Sequence, residues 1–349
     1  MRLNTLIAAL RAYDPLTVLR LARDVQTLIR IQFLYAAIDS GLLAALKTPA
    51  TKNDLVKKLD AKRPELLEAL LNVGISVGEL SCRNGVYRVK GKRSSAISDE
   101  NGDPLVAFVQ ASLKYYNSSY LNLAPAMHGA PLSSHLDEIG DLVARASKVY
   151  APFFQSFVSN TVAGKGALRI LEIGCGSGIY LHDAYEANPG VSGIGIDMDR
   201  AVAELARRNL AGWGISDKFT VISGDIRVPP AGISGSFDLI TMYNVIYYFE
   251  TGERPALMRS LRSMLSPGSR VALATNVRGE PKDISSSHLN LVVSSLKGCT
   301  PLPTLDEVTS LLGDSGFEQI KVTRLIPGTA FYGIVATAKA SPSTAAGPP

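Results

Sequence analysis

The 349-residue sequence is short of cysteine, histidine and charge. Its three cysteines, Cys82, Cys175 and Cys299, are odd in number and far apart, and no pair has metal-ligand spacing. That argues against a disulfide framework, leaves no metal site to expect, and points to a reducing, cytoplasmic compartment. Only four histidines are present, so few imidazoles are available for proton transfer. The formal net charge of +5 fits weak attraction to anions without demanding nucleic acid. No apolar run is both long and unbroken. The greasiest, IRIQFLYAAIDSGLLAAL, is interrupted by Arg30, Gln32, Asp39 and Ser40 and reads as a buried helix, so no membrane partner is expected. The opening MRLNTLIAALRAYDPLTVLRLARD is basic and amphipathic but lacks the long apolar region and small-residue cleavage site of a signal peptide. No internal repeat is visible.

What is present is a chain of two styles. Apolar residues make up 46%, enough for a sizeable core. Up to about residue 80 the pattern is helical. Thr51 followed by Asp54 is a capping-box spacing, and Leu66, Leu67, Leu70, Leu71, Val73 and Ile75 form a helical stripe. Asn84-Gly85 between two short β-like runs is a hairpin signal, so helices followed by a hairpin suggest a winged-helix-like domain over 1–102. Residues 103–165 return to helix, with many aromatics, as a linker that can line a pocket. Over 166–340 strand and helix alternate. Strands are expected at LRILEI, VSGIGID, FTVIS, FDLITMY, SRVALATN, FEQIKVTRL and FYGIVATA. The last two are joined by a short turn, so the last runs antiparallel. The fold class expected is α/β: a seven-stranded, mostly parallel, doubly wound sheet preceded by a helical domain. Residues 341–349 read as a disordered tail.

The first strand of that sheet runs into Gly174-Cys175-Gly176-Ser177-Gly178, with Glu172 just before it. A dinucleotide fingerprint has the spacing G-x-G-x-x-G and sets a pyrophosphate on the helix after the loop. Here the spacing is G-x-G-x-G, and a carboxylate beside a pyrophosphate is repelled while one beside an ammonium or sulfonium is attracted. The loop therefore suits a ligand with a nucleoside end and a cationic end. Asp197, ending the second strand, is placed to take both hydroxyls of a ribose, or else to cap the next helix, a task for which Asp199 is as good. In SGDI, Gly224, Asp225 and Ile226 can meet an adenine, Asp225 accepting from its amino group and Ile226 covering its face; Asp225 can equally be a turn residue. Met198 either touches the base or packs. Asn244, ending the fourth strand, faces the same crevice or caps the next helix.

The stretches LEIGCGSG, GIDMD, SGDI, FDLITMYNVIYYF and LSPGSRVAL, in this order, resemble the class I S-adenosylmethionine-dependent methyltransferases. With its helical first half, the whole chain resembles the small-molecule O-methyltransferases of secondary metabolism. The resemblance implies S-adenosyl-L-methionine as cofactor, held by Glu172, Gly174, Cys175, Gly176 and Gly178 at its methionyl part, by Asp197 at the ribose and by Asp225 at the adenine. It also implies a homodimer formed by the first half and a small-molecule methyl acceptor.

The pattern breaks at the base. Such enzymes carry a histidine just after the fourth strand, where this sequence has Tyr247. A tyrosine of ordinary pKa is ionised about one part in a thousand at pH 7, a cost of roughly 4 kcal/mol, so Tyr247 suits orienting an acceptor or closing the site better than taking a proton. His288, in ISSSHLNLVV, is the candidate base. Tyr116, Tyr120, Tyr150 and Phe154 either wall an acceptor pocket or fill the interior. Without a firm base, N- or S-methylation stays open beside O-methylation, as does a relative that binds the cofactor without transferring methyl. A DNA-binding regulator is disfavoured, because RPELLEALLNVGISVGEL presents an apolar face that seeks protein rather than phosphates.

Overall fold

The structure, a computed structural model, describes residues 14–134, 142–143, 145–164, 166–280 and 282–339; the tail expected at 341–349 lies outside them. The chain forms two compact units, Met1–Ser118 with Arg145–Val149, and Ser119–Ala144 with Tyr150–Pro349.

In the first unit a helix spans Pro15–Asp39. Asp14 caps it by accepting from the Thr17 amide at 2.9 Å, and Pro15 occupies its first turn, where no amide donor is missed. Phe33, Leu34 and Ala37 bury one end of it against Leu42, Leu55, Leu71 and Leu80. The helix Lys52–Lys58 begins with the expected capping box between Thr51 and Asp54. Strands β1 (Ala50–Thr51), β2 (Leu80–Arg83) and β3 (Val86–Val89) form a sheet in the order β1-β3-β2. Asn84 and Gly85 join β2 to β3 with φ of 51° and 75°, the left-handed pair a two-residue hairpin requires.

The second unit holds the large sheet. A short strand β4 (Ser133–Ser134) precedes it. The main strands are β5 (Leu168–Ile173), β6 (Val191–Asp197), β7 (Phe219–Ser223), β8 (Phe237–Tyr243) and β9 (Leu265–Asn276). After β10 (Leu296–Lys297), which pairs with β4, come β11 (Phe317–Arg324) and β12 (Phe331–Ala338). The order is β11-β12-β9-β8-β5-β6-β7, and β12 alone runs antiparallel to its neighbours. One strand starts earlier than expected: β9 includes Leu265–Gly268, and its register against β8 shifts between Phe237 and Leu239 to absorb the extra residues.

Alternation sorts the side chains between two cores. Leu171, Ile173, Ile240 and Met242 point to one face, against Leu257, Met258 and Leu261. Ile170, Leu239 and Tyr243 point to the other, against Phe154, Phe157, Leu181 and Ala206. Strands buried on both faces read as near-continuous apolar runs, which is why they stand out in the sequence. Among the described residues no helix is long and apolar enough to cross a membrane.

Candidate functional site

From β5 the chain steps to β6 and β7 on one side, then returns to place β8 on the other. In an open α/β sheet, ligands bind at such a reversal, beyond the carboxyl ends of the strands. Residues 174–178 lie there. Gly174, Gly176 and Gly178 all take positive φ, 66°, 56° and 78°. The first two are glycine for different reasons. A Cβ on Gly174 would stand 2.4 Å from Val245 Cγ1, whereas one on Gly176 would meet no atom of the described residues within 4 Å. Gly174 is squeezed by the protein, and Gly176 borders open space. The Cys175 side chain is buried, and a Cβ on Gly195 would come within 3.0 Å of its Sγ, so Cys175 can offer a ligand only its backbone.

Three carboxylates stand at or just beyond the carboxyl ends of β5, β6 and β7 in different surroundings. Glu172 is 1% exposed, and its Oε1 has no hydrogen-bond partner among the described residues. Burial, reinforced by the charges of Asp183 and Asp197, pushes its pKa well above the usual carboxylate range. Asp197 accepts from the Gly176 amide through Oδ2 and from the Asp199 amide through Oδ1, both at 3.0 Å. Burial raises its pKa as well, and those two amides oppose the rise. Asp199, not Asp197, caps the helix Arg200–Gly212. Asp225 is the opposite case. Its carboxylate takes the Arg227 Nε at 2.9 and 3.0 Å, and this guanidinium holds its pKa below the ordinary value. Arg227 also reaches Glu253 at 3.4 Å.

The remaining residues of the crevice divide between open and closed. Met198 is 60% exposed beside the end of β6, and Ile226 is buried in the core. Gly224 is glycine because a Cβ there would stand 2.6 Å from Pro230 Cγ. Asn244 comes directly after β8 with φ of 56°. Its amide donates to the Ala274 carbonyl at 2.7 Å, and its Oδ1 is buried without a hydrogen-bond partner among the described residues.

Residues 171–271, which run from β5 through the glycine loop into β9, match the family model described as a methyltransferase domain. The chain carries a methyltransferase domain and is an S-adenosylmethionine-dependent methyltransferase enzyme. A relative of nearly the same length is the 3-hydroxy-5-methyl-1-naphthoate 3-O-methyltransferase of Streptomyces sahachiroi, 24% identical over 328 residues, covering 89% of this chain and 92% of that one. The structure of the mitomycin 7-O-methyltransferase superposes with a TM-score of 0.78 at 18% identity, covering 95% of this chain and all of that one. The human N-acetylserotonin methyltransferase, solved in complex with S-adenosylmethionine, gives 0.71 at 16%, covering 94% of this chain and 99% of that one. The two structures share the fold.

The crevice of this methyltransferase fits its cofactor. A buried carboxylate oxygen without a partner is costly alone and favourable beside a cation, and the open side of Gly176 leaves room for a ligand against the backbone.

The structure joins two of the residues that the sequence offered separately as candidates for the acceptor. Tyr120 Oη and His288 Nδ1 lie 2.9 Å apart in a hydrogen bond, and their rings stack at 5.6 Å with 9° between planes. Burial lowers the His288 pKa below the ordinary imidazole value, which favours the neutral ring. It stands on the helix Ile284–Ser294, anchored where β9 ends by the Ser286 hydroxyl against Asn276 Oδ1 at 3.2 Å. A cavity of about 240 Å³ opens on the same two segments, between Ser119, Asn122, Leu132 and Ser295. Tyr247 is buried in the core, in the short turn Ile246–Tyr248. Phe154 is only 3% exposed and packs against Tyr180, Tyr243 and Phe331, so it fills the interior. Tyr150 is 39% exposed. Tyr116 belongs to the first unit, on the π-helical turn Ala111–Tyr116.

Sequence reasoning missed one element. Arg254 is buried, donates to the Phe249 carbonyl at 3.1 Å and reaches Thr300 Oγ1 at 2.5 Å, while the Thr300 amide bonds the Tyr247 carbonyl at 2.8 Å. This clamp sets the turn that carries Tyr247, and nothing in an isolated RPALMR or CTPLP marks it.

Proposed function

We propose that the protein transfers the sulfonium methyl of S-adenosyl-L-methionine to a hydroxyl oxygen of a small secondary metabolite, with His288 as the base. The observation that carries this reading is the His288 imidazole hydrogen-bonded to Tyr120 on a helix anchored where β9 ends, with burial lowering its pKa. The oxygen acceptor is supported by the near-full-length relative, a naphthoate 3-O-methyltransferase.

The cofactor supplies a methyl carbon activated by a positively charged sulfur. The chain's part is to hold and align, which contributes up to about 7–11 kcal/mol in well-oriented reactions. Glu172 and the backbone of residues 174–178 take the cationic methionyl end, Asp197 the ribose hydroxyls, and Met198 with the backbone around Asp225 the adenine. Asn244 offers its buried Oδ1 to the same ligand. His288 accepts the acceptor's hydroxyl proton as the oxygen–carbon bond forms and the carbon–sulfur bond breaks, and Tyr120 fixes the ring. Tyr247 shapes the floor of the acceptor site through the Arg254–Thr300 clamp.

The finer assignments rest on the same residues. Leu16, Leu19, Leu21 and Leu28 are all about half exposed or more on the helix Pro15–Asp39, and a second copy of the chain would cover them as a homodimer. Cys82, Cys175 and Cys299 are all free, in keeping with the cytoplasm. The test is incubation with S-adenosylmethionine and a panel of hydroxylated arenes, read by release of S-adenosylhomocysteine and by the mass gain of one methylene on the acceptor. The reading predicts turnover that His288→Ala abolishes. Methylation of amine or thiol acceptors alone, with His288→Ala unaffected, would overturn it.

A further inference from the structure

A groove of about 840 Å³ runs over the sheet face beside its β11 edge and shares no lining residue with the crevice at the strand ends. The helix Ala151–Val162 forms one wall, presenting Phe153, Ser156 and Asn160, and strands β9, β11 and β12 form the floor. Its lining is electrically one-sided. Arg270, Lys321 and Arg324 contribute positive charge, and among the described residues no Asp or Glu lines it.

The three cations are not equivalent. Arg324 is matched by the Glu280 carboxylate at 2.9 Å and lies over the Tyr332 ring at 4.8 Å. Arg270 and Lys321 have no ion pair or side-chain hydrogen bond among the described residues. Lys321 is exposed and can find water. Arg270 is half-buried and stands on an interior strand, between Leu239 of β8 and Thr337 of β12. Burial pulls its pKa below the usual value, with only the Tyr243 hydroxyl opposing, which shows how little negative charge surrounds it. A guanidinium taken partly out of water without a counterion destabilises the fold unless something anionic compensates it.

We propose that this groove is a second binding site, for a small organic oxyanion. The Arg270 fork and the Lys321 ammonium take a carboxylate or phosphate, and Phe153 and Val335 receive the apolar body that carries it. The planar guanidinium suits two-point recognition of either group. The volume falls in the range of small-metabolite pockets. The Ser156 hydroxyl, the Asn160 amide and the Thr337 hydroxyl supply further hydrogen bonds.

The test is calorimetric titration of the full chain with benzoate and with phenyl phosphate, and with benzyl alcohol as the neutral control, each in the presence of saturating S-adenosylhomocysteine. The wild type binds benzoate or phenyl phosphate in the millimolar range or tighter, and the better of the two identifies the oxyanion. Arg270→Gln and Lys321→Glu each weaken that binding by about tenfold or more. Lys321 is exposed, so Lys321→Glu keeps the test decisive if Arg270→Gln fails to fold. Affinity for S-adenosylhomocysteine is unchanged in both variants, which separates this site from the crevice. Three results would overturn the proposal: no binding of either anion by the wild type, binding of benzyl alcohol as tight as that of the anions, or anion binding that both variants retain in full.

Discussion

The two sides of the crevice are built on different principles. The proposed donor side is built around one stretch of backbone: a five-residue glycine loop, with the Gly176 amide on the Asp197 carboxylate 21 positions on and open space above Gly176. The proposed acceptor side is made of side chains from remote segments. Tyr120 meets His288 across 168 positions, and Arg254 meets Thr300 across 46. A site made by backbone keeps its ligand as long as the loop keeps its shape. A site made by distant side chains can be refitted to a new acceptor one residue at a time, and single substitutions there act on turnover and not on cofactor binding.

Substitutions on the two sides should therefore separate. The largest effect falls on the acceptor side: His288→Ala lowers kcat by about 10²- to 10⁴-fold, the usual worth of a positioned base, with S-adenosylhomocysteine affinity within about twofold of wild type. On the donor side Gly176→Val weakens S-adenosylhomocysteine binding by about ten- to a hundredfold, from overpacking against the ligand. Its cost to the fold is limited to about 1–2 kcal/mol of left-handed backbone strain, because no protein atom crowds the new side chain. Gly174→Val would instead be limited by stability, since Val245 stands in the way. Turnover assays beside calorimetric titration of S-adenosylhomocysteine check the first contrast, and thermal unfolding checks the second.

Smaller effects sharpen the same contrast through pH. The Glu172 pKa is raised on folding, so its contribution is fully present below the unfolded value of about 4.3 and is lost as pH rises toward the folded value. The cofactor-free protein thus loses stability over that rise, Glu172→Gln flattens the loss, and binding of the cationic cofactor releases a proton in the wild type that Glu172→Gln does not release. For His288 the sign is opposite. Its pKa is lowered, so kcat/KM rises with pH through a value below about 6.5 and levels off above it. Tyr120→Phe costs least, up to about tenfold in kcat for one hydrogen bond.

Legibility followed the same division. All seven strands of the sheet, the antiparallel last one, the Asn84-Gly85 hairpin and the Thr51 capping box were readable, because each rests on a short-range pattern of apolar alternation or turn chemistry. The early start of β9 was not, because Pro267 and Gly268 look like a turn and only the register shift against β8 accommodates them. At the crevice the glycine spacing was readable, but the direction of side chains was not. Cys175 turns inward onto Gly195, Ile226 goes to the core, and Asp225 is tied to Arg227 two residues on. On the acceptor side Phe154 belongs to the interior cluster, and the pairing of Tyr120 with His288 is a long-range contact that no local pattern encodes.

One calorimetric series tests the central claim, that cofactor binding resides in the backbone-made side alone: titration of S-adenosylhomocysteine into wild type, Asp197→Ala and His288→Ala. The account predicts equal affinity for wild type and His288→Ala, with Asp197→Ala weaker by about tenfold or more for the loss of charged hydrogen bonds. Equal affinity in all three, or a loss confined to His288→Ala, would contradict it.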